Sequence, residues 1–225
     1  MSDTNSPQSS GPPARPVDAI AADHRLVLAS ASPARLATLR AAGISPEVVV
    51  SGVDESQVTT EDPALLAVEL AVLKARAVAS RVEGPAWVIG CDSVLELAGE
   101  VHGKPADADE ARDRWRAMRG RAGVLHTGHC LVDTAEGREV ARSADTTVHF
   151  ASPTDEEIDA YVATGEPLLV AGAFTLDGLG GAFVREIEGD PHTVVGIGLP
   201  LLREMFAEIG VPWTDLWARF PADRA

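Results

Sequence analysis

Basic residues are scarce in this sequence. Its 225 residues include 19 Lys and Arg against 34 Asp and Glu, a formal net charge of −15. A broad positive face for nucleic acid is thereby excluded. A small anionic ligand would need a local cluster of Lys, Arg and backbone N–H groups, with a metal to offset the surrounding acid. Aromatic residues are also few, at 4%, which leaves core packing to aliphatic side chains. The two cysteines, Cys91 and Cys130, form neither a C-x-x-C pair nor a zinc spacing. Both are read as reduced and buried, which fits a reducing cytoplasm. No run of about 18 apolar residues is present, so no membrane span is expected. No charged stretch followed by an apolar one opens the chain, so no secretory signal is expected either.

What is present suffices for a sizeable core, since 45% of residues are hydrophobic. Residues 1–24 are rich in Ser, Pro, Gly and Ala and are read as a disordered tail. Residues 25–215 are expected to form one domain, and 216–225 a C-terminal tail. Leu26 to Ala29 reads as a buried strand, followed by Ser32-Pro33 as the cap and first residue of a helix. Glu47 to Ser51 reads as a second strand that ends near Asp54-Glu55. Asp62-Pro63 opens a helix with Leu65, Val68 and Val72 at core spacing. Trp87 to Gly90 reads as a buried strand that delivers Asp92 at its end. Asp107 with Glu110 and Thr154 with Glu157 have capping-box spacing, and Ala111, Trp115 and Met118 share a helix face. Strands are expected over Val124–Asp133, Arg138–Phe150 and Ala182–Ile187, and a last helix over Leu201–Ile209. Alternating strands and helices followed by a hairpin predict an α/β fold with a mixed central sheet.

Four segments carry candidate chemistry. In Ser30-Ala31-Ser32-Pro33-Ala34-Arg35, a strand gives way to a helix start, whose free N–H groups and partial positive charge suit phosphate. Arg35 there can add a bidentate cationic contact. Asp54-Glu55 offers paired carboxylates of the kind that bind Mg²⁺. Asp92, in Gly90-Cys91-Asp92-Ser93, is a shielded carboxylate placed for general-base or metal chemistry. Lys104, in Gly103-Lys104-Pro105, can set a point charge on a phosphate. It belongs to no P-loop, because Gly99 to Gly103 is one residue short and Pro105 replaces the Ser or Thr. Each segment also has a plain reading: a capped helix, a loop acid, a turn cap, a solvated lysine. Lys74 sits mid-helix, and its neighbours leave open whether it snorkels to solvent or points into a cleft. His126 and His129 fall on opposite faces of one strand, which makes them poor partners for a single metal.

The order of these segments resembles the Maf family of nucleotide pyrophosphatases, and its actinobacterial branch most. Ser-x-Ser-Pro-x-Arg is followed by Asp-Glu, a helical Lys-Ala, Gly-x-Asp-Ser and Gly-Lys-Pro. Further on stand Gly165-Glu166-Pro167, Ala171-Gly172-Ala173-Phe174, Asp177-Gly178 and Val194-Val195-Gly196. The resemblance spans roughly residues 25 to 210. It implies two lobes around a deep nucleotide cleft, as in Maf and ITPase folds, and pairing as a homodimer. The implied reaction is hydrolysis of nucleoside triphosphates between the α- and β-phosphates, with Mg²⁺ or Mn²⁺, non-canonical bases included. Carried over by position, Asp92 is the proton acceptor, Glu55 a metal carboxylate that Asp92 can join, and Ser30, Ser32, Arg35, Lys74 and Lys104 the phosphate set.

Ala34, Ser93 and Asp177 occupy positions linked to base selection. They depart from the Arg, Thr and Gln of members that favour thymidine and uridine triphosphates. A second reading is a nucleotide-binding regulator of septum formation with little or no hydrolysis. Retention of Glu55, Lys74, Asp92 and Lys104 together speaks for the enzyme.

Overall fold

The computed structural model describes residues 24–223, and the N-terminal stretch read as a tail lies, up to residue 23, outside them. Among the described residues, seven strands form one mixed sheet: β1 (Arg25–Leu28), β2 (Glu47–Val48), β3 (Ala86–Leu97), β4 (Glu100–His102), β5 (Ala122–Asp133), β6 (Arg138–Phe150) and β7 (Val184–Glu188). Their order is β2-β1-β3-β5-β6-β7, with β4 paired to the far end of β3. β1 runs parallel to β2 and β3, and the remaining pairs are antiparallel. The expected mixed α/β architecture is therefore present. The second strand is much shorter than its sequence suggests. Asp54 does not end it but caps a short 3₁₀ turn over Glu55–Gln57.

β3 departs most from expectation. Polar Asp92 and Ser93 interrupt the apolar run, so the sequence pattern stops at Gly90. The strand continues because pairing with β5 runs unbroken from Trp87↔Asp133 to Glu96↔Val124. Ladder hydrogen bonds between backbones do not depend on side-chain polarity. Asp92 is thus mid-strand.

Side chains alternate across β3. The face carrying Val88, Gly90 and Asp92 is covered by α2 (Pro63–Ala79), whose buried stripe is Ala67, Leu70, Ala71, Lys74, Ala75 and Val78. The larger Leu65 stays 48% exposed, against its expected core position. Glycines explain the choice of face. A Cβ on Gly90 would lie 2.3 Å from the Ala71 carbonyl oxygen, and one on Gly128 would lie 2.1 Å from that of Ala67. The helix backbone rests directly on the sheet, and only alanines fit the contact.

The opposite face carries two separate clusters. The first joins Leu28, Ile89, Cys91 and Leu131 to α1 (Pro33–Ala41), α6 (Leu199–Glu208) and α7 (Trp213–Arg219), through Leu39, Phe206 and Leu216 among others. The second joins Leu95, Leu97 and Leu125 to α3 (Ala108–Met118) and α4 (Asp155–Ala163) around Trp115. Trp115 meets Phe150, Tyr161 and Phe183 edge-on at centroid distances of 5.6–5.9 Å. Thr154 and Glu157 form the full capping box of α4. At α3, Asp107 accepts from the Glu110 N–H, but Glu110 reaches back to the Ala106 N–H instead.

The domain limits also shift. His24 is buried and stacks on Trp87 at 4.6 Å. Leu216 is fully buried, Trp217 Nε1 donates to the Ala42 carbonyl at 2.9 Å, and Pro221 bridges to Ile44. Residues 216–221 therefore belong to the fold and are not a tail, because the first cluster needs Leu216 to close it.

Gly128→Ala should drive α2 off the sheet and destabilise the fold by about 3 kcal/mol, a fall in Tm of roughly 10 °C. Gly103→Ala is the control, since its added Cβ meets nothing within 4 Å. Thermal melts of both variants followed by circular dichroism check the difference.

Candidate functional site

The site forms where a central strand loses a neighbour. β1 accompanies β3 only as far as Leu28↔Ile89, with one further bond from the Ala29 N–H to the Ile89 carbonyl at 2.8 Å. β4 takes up the same edge at Leu95↔His102. Between them, the edge from Gly90 to Val94 has no partner strand among the described residues. The strand end that the sequence places at Asp92 is therefore the end of β1 pairing rather than of β3. The gap opens outside the carboxyl end of β1, the end of a strand at which open α/β sheets commonly hold ligands.

α1 begins beside this gap. Ser32 caps it, its Oγ accepting from the Arg35 N–H at 3.4 Å, and the Ser32 N–H donates to Ser30 Oγ at 3.1 Å. Pro33 contributes no N–H, so Ala34 supplies the donor left in the first turn. Arg35 differs from its expected bidentate role. Its Nε donates to the Gly196 carbonyl at 2.8 Å, and Nη1 donates to the Cys91 carbonyl at 2.7 Å and to Ser30 Oγ at 3.2 Å. Nη2 donates to Ser93 Oγ at 3.3 Å. Four of the five guanidinium hydrogens are engaged inside the protein, so Arg35 clamps α1, β3 and the Gly196 turn together. It can offer a ligand its charge and one remaining N–H.

On the other side of the gap, α2 brings in Lys74, which points inward and settles the alternative left open by its sequence. Its ammonium pairs with Asp92 and with Glu55 Oε1, the latter at 2.8 Å. Lys74 and Asp92 are each only 9% exposed, while Glu55 is exposed on its 3₁₀ turn. A buried ion pair is costly to form and is held only where its geometry is good. The Ala67, Ala71 and Ala75 contact supplies that geometry by fixing α2 against the sheet. Ser30, Ser32, Ala34, Arg35, Glu55, Lys74, Asp92 and Ser93 thus gather around one gap. Lys104 and Asp177 are exposed, and no hydrogen bond or ion pair joins either to this group. The Lys104 loop is nevertheless fixed, because the Gly103 carbonyl accepts from Arg114 and from the Gly172 N–H. Glu166 braces the Asp177 loop, accepting from Tyr161, Thr175 and the N–H groups of Leu179 and Gly180. Burial pushes its carboxyl up, but those bonds outweigh it and leave the pKa below the usual value.

Among the described residues, no group of three or more His, Cys, Asp or Glu side chains could by itself hold a metal. Glu55 and Asp92 offer two carboxylates, a hard oxygen donor set already facing one cation, Lys74. That set suits a Mg²⁺ or Mn²⁺ ion whose shell is completed by water and phosphate. A cavity of about 410 Å³ lies on the outer side of α2, between Val58, Thr60, Glu69, Val72 and Arg76. It contains neither Asp92 nor Lys74, and Arg76 there is paired with Glu139.

Sequence reasoning missed a polar strip on the opposite face. Ser93, Thr127 and His129 lie between the two helical clusters, joined to Thr193 of α5 (Pro191–Val195). His129 Nε2 accepts from the Gly198 N–H at 2.8 Å, and Nδ1 bonds the Thr127 carbonyl at 3.0 Å. That pattern requires a neutral ring with its hydrogen on Nδ1. No motif signals this role, which depends on α5 and the Gly198 turn arriving from far along the chain. Burial, aided by the Arg35 charge, pushes the His129 pKa down to about 4. Burial likewise pushes the Cys91 and Cys130 thiols up to about 12, which leaves both unreactive.

Unfolded, His129 takes up a proton near its ordinary 6.5, whereas folded it does so only near 4. Its contribution to stability is therefore complete above pH 6.5 and lost as pH falls towards 4. Urea unfolding at about pH 7 and about pH 5 should show a loss larger by about 1–2 kcal/mol in the native protein than in His129→Gln. Equal losses would show that His129 is not the group responsible.

No helix among the described residues is long and apolar enough to cross a membrane. A family model described as Maf-like protein matches residues 25–209. A nucleoside triphosphate pyrophosphatase of Salinispora tropica is 62% identical over 200 residues, covering 87% of this chain and 88% of its own length. Another, of Streptomyces coelicolor, is 61% identical over 195 residues and is covered to 95%, against 86% of this chain. A solved nucleoside-triphosphatase (dITP/XTP pyrophosphatase) from Mycobacterium abscessus superposes with a TM-score of 0.37 at 19% identity, over 57% of this chain and 75% of that one, too loosely to bear on the assignment. The family match over most of the chain, together with relatives this similar along nearly their whole length, establishes that the chain belongs to the Maf-like protein family.

Proposed function

We propose that this protein is a divalent-metal-dependent nucleoside triphosphate pyrophosphatase, releasing nucleoside monophosphate and pyrophosphate and clearing non-canonical nucleotides. The observation that carries the reading is Lys74, held between Glu55 and Asp92 at the open edge of β3 with the Arg35 clamp alongside. The names of the close relatives support it. A cytoplasmic setting and a homodimer belong to the same proposal. The charge of −15 opposes nucleic acid as a partner.

Cleaving a triphosphate requires charge neutralisation and an aligned water more than covalent chemistry. The arriving phosphates offer Lys74 a denser anionic partner than Asp92. As Lys74 turns to them, the Asp92 carboxylate is released to accept a proton from the attacking water. Arg35 adds its charge and one N–H, the Ala34 N–H reaches the phosphates from the start of α1, and Lys104 approaches from its braced loop. A Mg²⁺ or Mn²⁺ ion would be held by Glu55 and Asp92 and would supply further neutralisation of the phosphate oxygens. The water attacks the α-phosphorus, the α–β bridging bond breaks, and pyrophosphate departs with the electron pair.

The test is product analysis with Mg²⁺ or Mn²⁺, a panel of canonical and modified triphosphates, and oxygen-18-labelled water. Monophosphate carrying the label plus unlabelled pyrophosphate is expected, with kcat lowered about 10²–10⁴-fold in Asp92→Asn and turnover lost on chelation of the metal. Inorganic phosphate as the first product would indicate a phosphatase. Tight binding without turnover would indicate a nucleotide-binding regulator.

A further inference from the structure

A buried chain of hydroxyl groups crosses the strip between the two helical clusters. Arg35 Nη2 donates to Ser93 Oγ at 3.3 Å, Ser93 and Thr127 share a hydrogen bond of 3.0 Å, and Thr127 Oγ1 donates to the Thr193 carbonyl at 2.9 Å. Thr193 is anchored in turn, its hydroxyl donating to the Asp190 carbonyl at 2.5 Å and meeting the Thr146 hydroxyl at 2.6 Å. Thr127, Thr146 and Thr193 have no exposed surface, whereas Ser93 is only half-buried.

Counting hydrogens fixes the direction of the chain. A hydroxyl has one hydrogen and two lone pairs. The Thr193 carbonyl can only accept, so the Thr127 hydrogen goes there. Thr127 then meets Ser93 as an acceptor, which commits the Ser93 hydrogen to Thr127. Arg35 has only hydrogens to offer, which commits one Ser93 lone pair to Arg35. A single lone pair remains on Ser93 for anything that enters the strip. The Thr193 carbonyl also accepts from the Gly196 N–H at 3.0 Å, but reversing the chain would set the Thr127 and Thr193 oxygens 2.9 Å apart in a buried site with no hydrogen between them, lone pair against lone pair.

We propose that Thr127 is a positioning residue that sets substrate selection by holding Ser93 as an acceptor only. The nucleotide atom that meets Ser93 then carries a hydrogen, an N–H of the base or an O–H of the sugar. Nucleotides presenting a lone pair there are rejected by lone-pair repulsion as well as by a missing bond. The inference rests on the reading of the site as a nucleoside triphosphate site.

A double-mutant cycle of Ser93→Ala and Thr127→Val tests it, with Thr127→Ser as the conservative variant. Selectivity is read as the ratio of kcat/KM between best and worst members of a ribo- and deoxyribonucleoside triphosphate panel, and as the ratio of Kd for α,β-methylene analogues. Thr127→Val frees the Ser93 hydrogen, so the ratio should fall about tenfold, and Thr127→Ser should hold it within about twofold. In the Ser93→Ala background, Thr127→Val should change the ratio no further. A uniform loss across all nucleotides, or additive effects of the two substitutions, overturns the proposal.

A second measurement needs no change at Thr127. The N–H and O–H groups of the preferred analogue are methylated or removed one at a time, and Kd is compared between the native protein and Ser93→Ala. One hydrogen should matter about tenfold to the native protein and not to the variant; if none does, the proposal fails. Selective Kd values without turnover would remove the hydrolase reading and leave the hydroxyl chain to be judged on binding alone.

Discussion

The close approach of α2 to the sheet is the contact on which the rest depends. A helix packed on a sheet through ordinary side chains stands well clear of it. Here Gly90 and Gly128 have no Cβ, and alanines face them, so the Ala67 and Ala71 carbonyls sit where side chains would otherwise be. That places Lys74 deep enough to meet Asp92 at the middle of β3. Without the two glycines, a lysine at the same helix position would extend over a thicker layer, and the ion pair would form nearer to solvent.

The second constraint is the gap in the edge of β3. Parallel pairing with β1 stops at Ile89, and antiparallel pairing with β4 starts at Leu95. Unpaired backbone at a sheet edge is usually a liability. Here Arg35 takes the Cys91 carbonyl, and the same guanidinium ties in Ser30, Ser93 and the Gly196 turn. One side chain thus fills part of the gap and fixes the geometry of what surrounds it. The price is freedom: an arginine so engaged acts on a ligand mainly through its charge.

The two faces of β3 carry different groups. The α2 face carries the ion-paired Asp92, Lys74 and Glu55. The opposite face carries the hydroxyl chain of Ser93, Thr127 and Thr193, between helical clusters that meet the sheet on either side of it. Strand alternation alone separates them, since Asp92 and Ser93 are adjacent in sequence. The open edge therefore presents charge on one side and hydrogen-bonding groups on the other.

Much of this was legible from the residues alone. Capping residues placed α1, α2 and α4 because a side-chain oxygen and a proline at a helix start act locally. The mixed sheet followed from the order of elements, and Asp92, Lys74, Glu55 and Arg35 were recognisable as chemistry-bearing residues in a telling order. Local pattern failed where distant partners decide. The extent of β3 past Asp92 depends on β5, which restores the ladder that polar side chains seemed to end. The inward turn of Lys74 depends on glycines in two other strands, and the burial of Leu216 depends on a cluster built from the other end of the chain. The engagement of Arg35 depends on Gly196, and the orientation of Ser93 depends on Thr193. The sequence by itself determined which groups could carry charge and where helices begin, since both are properties of neighbours along the chain. Only the tertiary structure decided which hydrogens and lone pairs remain free, because that depends on partners 34 to 161 residues away along the chain.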